Sequence, residues 1–183
     1  MVILKQTTPI DLIIVPEGLA ADKWGNTLNV PSFIYKSVLD YSVSLPYENK
    51  RFFLAPANNF QGELFEQESA LKYLKDKLSC EIHCPVYAKN FYINTSGNAK
   101  YLMEYINNKN IKLNNCELIA YHMHFPRAKL SFERYGFHFK KFHRVFNTHK
   151  KNHIVKRLWY YKYPKVHYLY EIIAHIISKL KII

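Results

Sequence analysis

The chain has 183 residues, three cysteines and a formal net charge of +12. This length suits one domain over residues 1–183, and an odd number of cysteines without paired spacing argues against a disulfide framework and favours a reducing compartment. No stretch approaches the roughly 18 apolar residues of a membrane-spanning helix, and the apolar start is too short for a secretory signal. We therefore expect a cytoplasmic protein.

The first half of the chain alternates short apolar runs with helical patterns. Residues 11–15 form an apolar run that ends at a proline and a glycine, which predicts a buried strand. Pro31 suits the first residue of a helix whose apolar residues recur every three to four positions until Pro46. Residues 51–55 predict a second strand, and residues 66–78 predict a helix with one apolar face.

The same alternation continues to about residue 137. Residues 81–87 give a third, less regular extended run, residues 99–106 have amphipathic helical spacing, and residues 116–120 predict another strand. Pro126 opens a further helix that ends near Gly136. Four strands separated by helices predict an α/β fold, a single-domain Rossmann-like open parallel sheet with helices on both faces.

The last quarter of the chain is strongly basic. Residues 138–183 carry 11 Lys and Arg residues against one acidic residue, Glu171, and so supply most of the net charge. A basic, aromatic segment at residues 138–165 attracts phosphates, anionic lipid or acidic partners, but no nucleic-acid recognition motif accompanies it, so nucleic acid is less favoured. The apolar face of a closing helix at about residues 166–181 suits either a membrane surface or the sheet, and packing on the sheet is favoured, which leaves the basic segment as a solvated rim.

Polar residues cluster where the predicted strands end. In a parallel sheet, ligands bind beyond the carboxyl ends of the strands. The loops at residues 16–18, 55–61, 90–98 and 122–127 all follow a predicted strand. We therefore expect their side chains to meet at one rim of the sheet.

Asn94, Thr95 and Asn98 stand at the start of the predicted helix that contains residues 99–106. Their hydroxyl and amide groups would lie beside the unpaired N–H groups of its first turn, which favours a cradle for an anion or a ribose. A helix cap is the simpler interpretation of these residue types when they are considered alone.

Arg127 and His124 flank the start of the helix that Pro126 opens. A cation in a first turn opposes the helix dipole, so Arg127 suits an anion-gripping role, and His124 could donate to the same anion or transfer a proton. The alternative is that both are solvated turn residues. Glu66 is the candidate base, although its position at a helix start also fits a dipole role, and Glu17 is a weaker candidate of the same kind.

Several functional classes lack their signatures. A zinc site built from His122, His124 and His83 or the cysteines has no paired ligand spacing, so no metal is predicted. The chain has no phosphate-binding P-loop, no dinucleotide fingerprint, no nucleophile elbow and no kinase signature. The sequence therefore does not identify a cofactor, which stays unknown at this point.

Three motifs resemble the YdcF-like family of bacterial domains, which is related to SanA and ElyC. They are Glu66 on a helix, Asn94-Thr95-x-x-Asn98-Ala99, and His124-x-x-Arg127-Ala128 followed by Phe132 and Gly136. The resemblance covers roughly residues 10–137, and Glu171 matches the family's closing helix. It implies a Rossmann-like sheet in which Glu66, Asn94, Thr95, Asn98, His124 and Arg127 line one pocket. It also implies a role in envelope, lipid-carrier or surface-glycan physiology, without a defined reaction.

The chain departs from this family at its glycine motifs. It has Pro16-Glu17-Gly18 and Ala55-Pro56-Ala57 where the family has paired glycines, and Ala120 replaces the usual threonine. Each proline removes an N–H donor from the approach to a phosphate. The ligand therefore differs from that of the family, or the activity has been lost.

Two functions follow from these observations. The first is a protein that binds a nucleotide-like or phosphorylated small molecule, such as an envelope glycan or lipid-carrier precursor, with transferase or hydrolase activity. In it, Glu66 and His124 would be catalytic, and Asn94, Thr95, Asn98 and Arg127 would bind the ligand. The alternative is a non-catalytic relative whose basic tail docks on anionic membrane, at the inner membrane, or on nucleic acid.

Overall fold

The computed structural model describes residues 8–87 and 92–180 of the chain. The elements in chain order are β1 (Ile10–Ile14), β2 (Leu19–Ala21), β3 (Thr27–Pro31), α1 (Phe33–Ser44), β4 (Lys50–Leu54), α2 (Glu66–Lys75), β5 (Ile82–His83), α3 (Thr95–Asn108), β6 (Glu117–Tyr121), α4 (Phe125–Arg134), β7 (Lys141–Val145), a 3-10 segment (Lys156–Lys162) and α5 (Pro164–Leu180).

Five of the strands form one parallel sheet in the order β5-β4-β1-β6-β7. From β1 the chain builds outward through β4 and β5 on one side, then crosses to β6 and β7 on the other. The strand order therefore reverses between β1 and β6, and such a switch point opens a crevice at the carboxyl edge. The predicted α/β class and Rossmann-like open sheet are confirmed.

The apolar residues of the central strands divide between the two faces of the sheet. Leu12, Ile14, Phe52 and Leu54 pack with α1 and α2, whereas Ile13 and Phe53 pack with α3 and α4. This division follows from the alternation of side chains along each strand. Helices therefore cover both faces, as predicted, and β1, β4 and β6 lie within one residue of the predicted runs.

Several local predictions are wrong. Pro31 closes β3 instead of opening a helix, and Ser32 caps α1 by accepting a hydrogen bond from the Tyr35 N–H at 3.1 Å. The antiparallel pair β2-β3 was not predicted, and the extended run at residues 81–87 contributes only Ile82–His83 to the sheet.

The basic segment is more ordered than a solvated rim. Lys141–Val145 forms the fifth parallel strand, with His143 and Val145 buried and the other three residues of the strand exposed. This strand lies at the sheet edge, where charged side chains discourage pairing with other chains. Farther along, Ile154 bridges to Ala20, which lays the following segment over the carboxyl edge of the sheet.

The closing helix α5 does not bury its apolar face against the sheet, so that prediction is wrong. Its buried residues are His167 and Glu171. The exposed residues include Leu169, Ile172, Ile173, Ile176, Ile177 and Leu180. Among the described residues, no helix is both long and apolar enough to cross a membrane.

Candidate functional site

A small cavity of about 30 Å³ lies at the carboxyl edge of the sheet, at the switch point between β1 and β6. The loops after β1, β4 and β6 and the start of α3 converge there because the strands are parallel. Five of the six predicted site residues line this cavity, which are Glu66, Thr95, Asn98, His124 and Arg127. Residues 90 and 91 of the predicted loop 90–98 lie outside the described residues.

His124 connects a carboxylate to a hydroxyl. Its Nδ1 lies 3.1 Å from both carboxylate oxygens of Glu17, and its Nε2 lies 2.9 Å from Thr95 Oγ1. Because the carboxylate can only accept, Nδ1 carries the proton and Nε2 is free to accept from the Thr95 hydroxyl. A base oriented by a carboxylate and set against a hydroxyl is the arrangement that activates a nucleophile or a water molecule.

Glu17 is held in place by two further donors. The Tyr121 N–H donates to its Oε1 at 3.0 Å and the Tyr161 hydroxyl donates to its Oε2 at 3.2 Å. Glu17 is almost fully buried. The sequence marked Glu17 as a weaker candidate of the same kind as Glu66, and it did not link Glu17 to His124, which lies 107 positions away and is brought to it by the fold.

Arg127 is already paired. Its Nε and Nη2 donate to the two carboxylate oxygens of Glu171 on α5 at 2.8 and 2.9 Å, and its Nη1 donates to the Thr95 hydroxyl. Burial alone would raise the pKa of Glu171, but electrostatic interaction with His124, the approach of His167 Nε2 to 3.6 Å and the two hydrogen bonds from Arg127 hold that pKa well below its ordinary value. The predicted anion grip is therefore occupied by a carboxylate of the same chain.

Glu66 is the first residue of α2 and is buried. Its carboxylate accepts hydrogen bonds from the Gly18 N–H at 2.6 Å and the Asn58 N–H at 3.2 Å. Burial raises its pKa to about 7, although these two N–H groups oppose the shift. A carboxyl group that titrates near neutral pH is suited to proton transfer, which fits the predicted role as a base.

Of the two asparagines that the sequence predicted for the site, only one lines the cavity. Asn98 is buried in the cavity wall and donates from Nδ2 to the carbonyl of Pro56 at 2.6 Å. Asn94 is exposed, and its side chain accepts from the Gly97 N–H at 2.9 Å, so it caps α3 and does not line the cavity. The capping alternative therefore describes Asn94, and a ligand-binding role is supported only for Asn98 and Thr95.

Three side chains of the 3-10 segment close the cavity. Leu158, Tyr160 and Tyr161 complete its lining, and all three are buried. Gly18, with φ +88°, lies so close to Leu158 that a Cβ atom there would meet Leu158 Cδ1 at 2.4 Å. The cavity has room for little more than a water molecule.

A much larger cleft of about 840 Å³ adjoins this cavity and shares the residues Asn58, Phe60 and Tyr92 with it. The Arg157 guanidinium stands 3.7 Å from the centre of the Tyr92 ring. Within the part of the chain that the structure describes, neither Lys156 nor Arg157 forms an ion pair. The other lining residues are Gly25, Asn26, Thr27, Ala57, Asn59, Gln61, Phe65 and Val155.

Sequence reasoning did not locate this cleft. The basic, aromatic character of residues 138–165 marks Lys156 and Arg157 as candidates for phosphate binding, but nothing in the pattern shows that they reach the carboxyl edge. Among the described residues, no group of three or more His, Cys, Asp and Glu side chains is placed to hold a metal ion.

Comparison of the chain with protein families, with curated proteins and with solved structures finds no match. The resemblance to the YdcF-like family therefore stays a prediction. The geometry of the cavity and cleft carries the functional interpretation.

Proposed function

We propose that the protein binds a phosphorylated or nucleotide-like small molecule in the cleft, with the reactive end of the ligand directed at Glu66 and His124. One observation carries this proposal: the cleft and the cavity share Asn58, Phe60 and Tyr92. Two cations that form no ion pair with any described residue, together with aromatic rings for recognition, therefore stand beside groups suited to proton transfer.

The cleft has the parts that such a ligand requires. Its volume of about 840 Å³ is in the range of small-molecule sites. Lys156 and Arg157 offer positive charge to a phosphate, and a guanidinium fork matches phosphate oxygens. The rings of Phe60, Phe65 and Tyr92 offer flat apolar surface to a nucleobase or an isoprenoid, and neighbouring asparagine amides suit sugar hydroxyls.

The cavity supplies the chemistry in this proposal. His124 Nε2 accepts a proton from a hydroxyl or a water, while Glu17 stabilises the imidazolium that results. Glu66, with its pKa raised to about 7 by burial, exchanges a proton at neutral pH. This set of groups suits transfer or hydrolysis at a phosphorylated centre, and Leu158, Tyr160 and Tyr161 must move aside for a ligand to reach it.

The proposal changes the residues that would grip the anion. The sequence assigned this role to Arg127, whose charge is matched by Glu171 in the structure. Arg157 and Lys156 take over that role here, and Arg127 becomes a positioning residue that holds the Thr95 hydroxyl. The classes of ligand to test follow from the family resemblance, which implies lipid-carrier or envelope-glycan precursors.

A thermal-shift screen of nucleotides, nucleotide-sugars and polyprenyl phosphates tests the proposal. We expect at least one of these compounds to raise the melting temperature of the wild-type protein, with affinity reduced about tenfold or more in Arg157→Gln. Arg144→Gln is the matched control, because Arg144 also stands over a ring, that of Phe125 at 4.7 Å, but lies outside the cleft. The control should bind as the wild type does.

Two outcomes would overturn the proposal. One is that no compound of these classes stabilises the protein, and the other is that Arg157→Gln and Arg144→Gln weaken binding equally. A third variant, Glu66→Gln, separates binding from chemistry, since it should keep the thermal shift while losing any turnover of the bound compound. Binding without turnover in the wild type would favour the non-catalytic alternative. Two features support that alternative, which are the ion pair of Arg127 with Glu171 and the closed cavity.

A further inference from the structure

The helix α5 is oriented with its polar side toward the protein and its apolar side toward solvent. On the inward side, His167 stacks on the Tyr161 ring with the centroids 4.1 Å apart, and Glu171 pairs with Arg127. On the outward side, exposure of the apolar residues runs from 39% at Ile172 to 68% at Leu180. This is the reverse of the usual pattern for a surface helix.

The exposed residues form one continuous patch, which we call the α5 apolar face. Its members recur at spacings of three and four, so they share one side of the helix. Within the described residues, no other element covers this face. It consists of Leu169, Ile172, Ile173, Ile176, Ile177 and Leu180.

Cations and amphipathic aromatic residues surround the α5 apolar face. Lys165 and Lys179 are exposed near the two ends of the helix. Tyr168 lies on α5 and is 60% exposed, and Trp159 is 54% exposed and contacts the ring of Tyr163, the residue before α5, with the centroids 6.0 Å apart. Tryptophan, tyrosine and lysine around an apolar helix face are typical of helices that lie at the boundary between lipid head groups and acyl chains.

The charge of this region decides which partner fits. Residues 138–183 carry 11 basic side chains and one acidic one, and the acidic one, Glu171, is buried. A second copy of the chain would bring two such surfaces together, so like charges would oppose the contact. An anionic bilayer offers the opposite charge at its surface and an apolar layer beneath it.

We propose that the α5 apolar face docks on the surface of an anionic lipid bilayer, with Lys165 and Lys179 at the level of the head groups. The helix lies along the surface, because its opposite side is engaged with Arg127 and Tyr161 of the protein. This inference is independent of what the cleft binds.

Co-sedimentation of the full chain with vesicles tests the docking. We expect binding to vesicles of phosphatidylcholine mixed with phosphatidylglycerol, weaker binding as salt is raised, and little binding to phosphatidylcholine alone. The double variant Ile173→Asn, Ile177→Asn should bind these vesicles at least about tenfold more weakly, because it removes two apolar side chains from the interface. The double variant Leu28→Asn, Val30→Asn changes two residues of similar exposure on β3 and should bind as the wild type does.

A second pair of measurements does not depend on the isoleucine variants. Neutralising Lys165 and Lys179 to Gln should weaken binding to the anionic vesicles by about fivefold per lysine. Trp24→Phe leaves Trp159 as the single tryptophan of the chain, and its fluorescence should shift to shorter wavelength when anionic vesicles are added.

Two results would overturn the proposal. The first is the absence of binding to anionic vesicles, and the second is binding that the isoleucine and lysine variants leave unchanged. Where vesicle binding is absent, concentration-dependent self-association or binding to nucleic acid that the isoleucine variant abolishes would assign the α5 apolar face to that partner instead.

Discussion

Replacing Glu171 with Gln should destabilise the fold, because it leaves the Arg127 guanidinium buried without a counter-charge. The two side chains are 4% and 13% exposed and share hydrogen bonds of 2.8 and 2.9 Å. Removing one partner of a buried ion pair costs about 3–5 kcal/mol, and the retained amide oxygen places this variant near the lower end. In a chain of this length about 3 kcal/mol corresponds to a fall of about 6–12 °C in melting temperature.

Thermal denaturation at neutral pH measures this effect, with Glu133→Gln as the control. Glu133 is an exposed carboxylate on α4 that lies 3.7 Å from Lys129, and its loss should cost no more than about 0.5 kcal/mol. Because the pKa of Glu171 is depressed, the stability that it contributes is present above its ordinary pKa and is lost as the pH falls into the acid range. A melting temperature that falls no further than in the control, or an unchanged acid dependence in the variant, would refute this reasoning.

Two further predictions concern the cavity. The pKa of Glu66 is raised to about 7, so its contribution to stability is fully present below the ordinary pKa and falls as the pH rises through 7. The decrease in melting temperature between pH 5 and pH 8 should therefore be smaller in Glu66→Gln than in the wild type, and equal decreases would contradict the shift. Gly18→Ala should lower the free energy of unfolding, measured with urea, by at least about 1 kcal/mol more than Gly25→Ala. Both glycines have φ near +90°, but the added Cβ meets buried Leu158 at Gly18 and only the flexible Lys156 side chain at Gly25; an equal loss in the two variants would count against the close packing of Leu158.

The sequence predicted the centre of the sheet well because of how parallel strands are buried. β1, β4 and β6 have helices on both faces, so each appears as a short run of apolar residues. The edge strand β7 was missed, because its buried positions are only His143 and Val145 and its other residues are exposed. An edge strand of this composition has no apolar run to detect.

The orientation of α5 could not be read from periodicity. Spacing of three and four shows that a helix has an apolar side but not which way that side faces. The inward side is fixed by Glu171, which lies 44 positions from its partner Arg127. A pairing at that distance in sequence is a property of the fold and leaves no local pattern.

The same limit applies to the site. The convergence of Glu66, Thr95, Asn98, His124 and Arg127 was predictable, since parallel strands deliver their following loops to one edge. The closing of the cavity by Leu158 and Tyr161 was not, since the 3-10 segment reaches that edge only after β7 has been added to the far side of the sheet.

The ion pair of Arg127 with Glu171 and the exposure of the α5 apolar face both result from the same orientation of α5. If α5 turned its apolar face inward, six side chains that are about half exposed would be covered, for a gain of about 6 kcal/mol at about 1 kcal/mol each. The same rotation would take Glu171 away from Arg127 and cost about 3–5 kcal/mol. The free energy gained by burying the apolar face and the free energy lost with the ion pair are therefore similar. For the chain alone, neither orientation of α5 has a clear advantage. A surface that covers the apolar face from outside removes the conflict, because the ion pair is then kept and the apolar residues leave water as well.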